Sequence, residues 1–219
     1  MEASEMAKSL LLVAWFLAPA IPAALYAASV GGFPDAYSVS VALGAYAYAL
    51  LAAQPALAAR PAFIVKAIGA KGGSTLHGIV PLIALGMAVA HRALKLSLGF
   101  GDETVQATIG AASFWFLAAA SVAAVLLLAA FGGAIGKALK PLRAWAAERL
   151  GLGYKAARTA HGLAALAVVA LFVHLSLASS SDLSFNPAGP AWLAAWTLLS
   201  LGIFARSRIT ARRAGKASL

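Results

Sequence analysis

Six apolar runs, each long enough to cross a hydrocarbon core of roughly 30 Å as a helix, limit what this chain can fold into. They fall at about 10–30, 37–57, 76–94, 107–131, 159–178 and 189–205. In lipid every backbone N–H and C=O must find a partner inside the protein, so uninterrupted apolar runs of this length predict α-helices. The expected fold is all-α, a single domain over residues 1–219 built as a six-helix transmembrane bundle. A soluble fold is excluded by composition, since 62% of the residues are hydrophobic and 11% charged, too little polar surface to cover a globule in water.

The placement of charge gives an orientation. Of the 17 Lys and Arg residues, all but Arg92 and Lys95 fall at the N-terminus, in the second and fourth connections, or at the C-terminus. That bias predicts both termini in the cytoplasm, with Asp35, Asp102, Glu103 and Asp182 on the opposite face. Topology thus accounts for the net charge of +10 and removes the case for a nucleic-acid partner. Lys8 precedes the first apolar run, but Pro19 and Pro22 interrupt that run and no clean cleavage site follows, so it reads as a retained span. The absence of cysteine excludes disulfides, thiolate-held clusters and covalent haem attachment through a CxxCH motif.

Residues 132–158 form the one connection with a pattern of its own. Leu139, Leu142, Trp145 and Leu150 alternate with Lys140, Arg143 and Arg149, which predicts a short amphipathic helix on the cytoplasmic surface. Such a helix either rests among anionic headgroups or docks a cytosolic partner.

All four histidines lie in spans three and five, where an ionisable side chain is costly and marks a site. His77 and His91 are 14 residues apart, His161 and His174 are 13 apart, and each pair is separated by roughly 20 Å along its helix. Spans three and five run in the same direction. His77 therefore shares a depth with His161 near the inner face, and His91 shares one with His174 near the outer face. Haem iron takes two axial ligands on opposite faces of the porphyrin, and neutral imidazole serves well. Two matched pairs predict two b-type haems, with a structural or proton-relay use of the histidines as the alternative.

On an ideal helix 14 residues return to within about 40° of the same face, whereas 13 residues miss it by about 140°. Span five therefore needs a local distortion, or haems that are offset sideways. Gly78 and Gly162 follow the two inner histidines, either to let a porphyrin approach the backbone or to assist helix packing. Arg92 on the outer side, and Arg158 with Arg60 or Lys66 on the inner side, are candidate partners for haem propionates. For the inner set, topology alone also explains the charge. Phe114, Trp115, Phe116 and Phe172 either line haem or are ordinary packing.

The stretches TLHGIVPLIALGMAVAHRAL and RTAHGLAALAVVALFVHLSL together resemble the ferric reductase-like transmembrane domain. That family includes ferric reductases, the membrane half of NADPH oxidases, and the haem subunit of a bacterial methionine sulfoxide reductase system. The resemblance covers roughly residues 10–205 and implies a multi-pass haem subunit of a plasma or inner membrane, in a bacterial setting. It implies His77 with His161 as ligands of the inner haem and His91 with His174 as ligands of the outer one. Electrons would enter from a cytoplasmic flavin, FAD included, and leave to an extracytoplasmic acceptor. No G-x-G-x-x-G or other nucleotide loop follows span six, so the flavin belongs to a partner protein or quinol is the donor. The alternatives are a quinol-linked cytochrome b subunit of a periplasmic oxidoreductase, and a transporter or channel with a histidine relay. Intramembrane Asp, Glu, Lys and Arg are nearly absent, which weighs against transport.

Overall fold

A computed structural model of the chain describes residues 2–101, 103–128, 133–151 and 153–217. Asp102, the 129–131 end of the fourth expected span, Gly132, and the side chains of Arg212, Arg213 and Lys216 lie outside what it describes. The chain forms helices α1 (Glu2–Leu17), α2 (Ala20–Val30), α3 (Ala36–Ala52), α4 (Gln54–Ala59), α5 (Ala62–Ser97) and α6 (Val105–Ala123). After a π-helical turn (Ala124–Leu128) come α7 (Gly133–Leu150), α8 (Tyr154–Gly162), α9 (Ala164–Ser176) and α10 (Ala188–Ala217). Among the described residues there is no strand.

Among the described residues, five helical stretches are long and apolar enough to cross a membrane: Ala36–Ala59, Ala62–Ser97, Val105–Leu128, Tyr154–Ser176 and Ala188–Thr210. A sixth arises if α1 and α2, bent by 41°, act as one broken span. The bend falls at Pro19, whose ring cannot follow the preceding turn and which donates no N–H. Beside the bend, the carbonyl of Phe16 accepts the Tyr46 hydroxyl at 2.8 Å, tying span one to span two.

The second expected span, α3 with α4 and called span two here, is the most buried of these stretches. Within the protein 61% of its apolar window is buried, against 17%, 11%, 12% and 22% for the other four. Its alanine-rich sequence lets neighbouring backbones approach closely, which is how helices associate where lipid removes the hydrophobic drive. Leu50, Ala53 and Leu57 form the core there with Trp15, Ile64, Val80, Ala84, Leu117 and Ala167. Polar ties run from span two to α10: Tyr48 to Thr197 at 2.7 Å, the Trp196 indole N–H to the Ala49 carbonyl at 2.9 Å, and the Ala56 N–H to the Ser200 hydroxyl at 3.1 Å.

Asp35 caps α3 by accepting the Ser38 N–H at 2.7 Å, and Ser38 reaches back to the Asp35 N–H. Hydrogen bonds from the Ser38 N–H and then its hydroxyl hold this carboxyl below its ordinary value of 3.8. A depressed folded-state value contributes stability above the ordinary one and loses it as pH falls through the lowered one. Wild-type protein should therefore lose its thermal-midpoint advantage over Asp35→Asn as pH drops below 3.8; a constant difference across that window would contradict the capping role.

Residues 60–74, marked by Gly and charge as a connection, are largely helical because α5 begins at Ala62. Lys66, Lys71, Gly72 and Gly73 are tolerated inside the helix, and Gly69 alone breaks it, at φ 71° and ψ 166°. The expected amphipathic helix is α7. Leu142, Trp145 and Leu150 are exposed, Ala146 is buried, and the Arg143 Nε donates to the Leu126 carbonyl at 2.8 Å.

Candidate functional site

The structure brings the His77 and His161 rings together, while His91 and His174 line one cavity. His77 on α5 and His161 on α8 have ring centres 5.8 Å apart with planes at 78°. Two imidazoles each about 2 Å from one metal ion place their ring centres roughly 6 Å apart, so this separation suits shared axial ligation. Both Nδ1 atoms are buried and have no hydrogen-bond partner among the described residues.

The distortion demanded by the 13-residue spacing lies directly after His161. The helix breaks at Leu163, between α8 and α9, and the Leu166 N–H bonds the Leu163 carbonyl at 2.9 Å, three residues back. A three-residue turn advances roughly 20° more per residue than an α-helix, the direction that reduces the mismatch.

His91 and His174 line one cavity of about 450 Å³, within the roughly 300–1,000 Å³ usual for cofactor sites. Each of these imidazoles leans on a helix that carries no histidine. The His91 Nδ1–H donates to the Ser40 carbonyl on α3 at 2.7 Å, and the His174 Nδ1–H donates to the Gln106 carbonyl on α6 at 2.7 Å. The Ser40 hydroxyl lies 3.1 Å from the same His91 nitrogen and donates to the His91 carbonyl at 3.2 Å. A proton held on Nδ1 leaves Nε2 with its lone pair available to a metal. Four residues beyond each accepting carbonyl stands a glycine. A Cβ at Gly44 would come within 2.8 Å of the His91 Nδ1, and one at Gly110 within 2.5 Å of the His174 Nδ1.

Arg92 and Lys95 also line the cavity. The Lys95 ammonium sits 3.5 Å from the centre of the Tyr37 ring and 4.6 Å from that of Phe100. Tyr37 is held in turn by Ser179, its hydroxyl 3.2 Å from the Ser179 hydroxyl. Near the other pair, Arg60 ends α4 with φ 49° and donates to the Ser74 hydroxyl at 2.9 Å, one turn before His77. Arg158 is exposed one turn before His161, and Lys66 is exposed as well. Gly78 and Gly162 are exposed, and a Cβ at either would meet nothing within 4 Å, so space is open beside both inner histidines. Of the aromatic candidates, Phe114 lines the outer cavity, Phe172 packs on Tyr48 at 6.3 Å, and Trp115 and Phe116 are exposed.

Two imidazoles lining a site are a donor set that suits iron bringing its own equatorial ligands. Ser40, Gly44, Gln106, Gly110 and Lys95 are site residues that the histidine pattern did not reveal. The available signal was a glycine four residues after the accepting carbonyl in spans two and four, as SVALG and QATIG. No family model, curated protein or solved structure matches this chain.

Proposed function

We propose that this chain is the haem-bearing membrane component of an oxidoreductase, carrying electrons from a cytoplasmic donor to an extracytoplasmic acceptor. The observation that supports it best is the approach of His77 to His161 together with a cavity lined by both His91 and His174, whose Nδ1 atoms are each bonded to a carbonyl. Bound haem would supply one-electron chemistry by cycling between ferric and ferrous iron. His77 with His161 would ligate the inner group, and His91 with His174 the outer one.

In this reading the chain crosses the membrane six times, α1 and α2 forming one bent span, with both termini in the cytoplasm as the charge bias requires. Arg92 and Lys95 offer cations to the outer carboxylates, and Arg60 and Arg158 to the inner ones. Buried apolar side chains between the sites, Val80, Ala84, Ala167 and Val168, exclude water from the interval of roughly 20 Å along the helices. The donor is a reduced flavin on a cytoplasmic partner protein, with a membrane quinol as the alternative.

The test is purification in detergent after growth with ample haem, followed by a reduced-minus-oxidised absorbance spectrum and a haem-to-protein ratio. About two haems per chain with a b-type spectrum are expected. A colourless preparation would overturn the proposal. Adding a flavoprotein reductase or a quinol analogue to the oxidised protein then identifies the donor class by which one reduces it.

A further inference from the structure

We infer that the Ser40 carbonyl with Gly44, and the Gln106 carbonyl with Gly110, form a duplicated positioning element that fixes the protonation and aim of His91 and His174. The inference rests on the outer pair being the ligand pair proposed above, but its geometry is independent of any bound group.

The two copies share one construction. A helical carbonyl already accepts the amide four residues ahead, and its second lone pair is free for a side chain. At the approach these two imidazoles take, the lone pair is reachable only because the residue one turn along the helix lacks a Cβ. Gly44 stands four residues after Ser40, and Gly110 four after Gln106. A Cβ at either would lie 2.8 or 2.5 Å from the ring nitrogen that makes the bond, closer than packed atoms tolerate. Other helical glycines do not face a histidine: at Gly86 and Gly202 a Cβ would meet nothing within 4 Å, and at Gly72 and Gly189 it would crowd Ile68 and Asn186. General helix packing therefore does not account for Gly44 and Gly110.

The chemical consequence is a choice of tautomer. In a neutral imidazole one nitrogen carries the proton and the other the lone pair, and the acceptor facing Nδ1 settles which. A carbonyl can only accept, so Nδ1 keeps its proton and Nε2 is ready for iron before any cofactor arrives. The Ser40 hydroxyl reinforces the first copy by bonding the His91 carbonyl. His77 and His161, whose Nδ1 atoms have no partner among the described residues, have no such element. The outer pair is thus pre-aimed and the inner pair is not.

Gly44→Ala and Gly110→Ala in the full-length chain, with Gly86→Ala and Gly202→Ala as controls, test this with two readouts. The first is nitrogen NMR of ¹⁵N-histidine-labelled protein grown without haem. Wild type and both controls should show His91 and His174 protonated at Nδ1. Gly44→Ala should move His91 alone to a mixture with the Nε2–H form, and Gly110→Ala should move His174 alone. The second is haem retention, scored by the spectrum that disappears in His91→Ala. Loss of second-shell support weakens metal affinity roughly 10- to 100-fold, so in haem titration of protein grown without haem the outer site should half-fill at a haem concentration higher by that order, while the inner site and both controls stay at wild-type level. Unchanged tautomers in both variants would overturn the inference, as would equal loss of both haem signals. A colourless wild type would sink the haem reading alone, because the nitrogen spectra still decide this one.

Discussion

Alanine at His91 or His174 should remove one haem and leave the other, taking the ratio from about two per chain to about one. In the proposed reading each outer imidazole would hold one axial position, and among the described residues no group of three or more His, Cys, Asp or Glu side chains offers a replacement. His77→Ala or His161→Ala should remove the complementary signal, so the two single-site spectra should sum to that of the wild type. The double variant His77→Ala with His91→Ala should be colourless. In vesicles with reductant inside and an impermeant ferric acceptor outside, each single variant should fall to the rate of protein-free membranes, because each deletes one of two relays in series. Retention of both haem signals in any single variant would refute the pairing.

The second large effect is on stability. Leu50→Ala should cost about 2–5 kcal/mol, because Leu50 is fully buried in span two and the surrounding core can only partly collapse into the space left behind. Leu198→Ala, where the parent side chain is 70% exposed, should stay within about 0.5 kcal/mol, since it trades one lipid contact for another. Thermal midpoints in one detergent make the comparison. Similar shifts for the two would mean that span two is not the packed centre of the protein.

The approach of His77 to His161 was legible in the sequence because depth along a helix follows from residue count, given the expectation that spans three and five run the same way. Even the awkward spacing in span five carried information. Thirteen residues cannot return to one face of a regular helix, and the break at Leu163 lies inside that interval. Residues 60–74 were harder to read, because Gly, Lys and Pro signal a connection by composition while helix is interrupted only by a particular backbone conformation. Gly69 adopts one and Gly72 and Gly73 do not. The supports of the outer histidines were out of reach because the accepting group is a carbonyl, which every residue has. Lys95 stood out in the sequence only as an exception to the charge bias, because the two rings that bracket its ammonium are supplied by Tyr37, 58 residues earlier, and by Phe100.

The burial of span two has a consequence for how the protein is made. By hydropathy α3 and α4 are an ordinary span, yet most of their surface never meets lipid. Ser40, Tyr48 and Gln54 all point into the protein, and the first two hydrogen-bond to other spans, Ser40 to span three and Tyr48 to α10. When the ribosome has delivered only two spans, those later partners do not yet exist. The nascent helix must carry unsatisfied polar groups in the bilayer, each a cost that only the later spans relieve. Span two is therefore inserted early and completed late, so truncations that end before α10 should leave it exposed to membrane quality control.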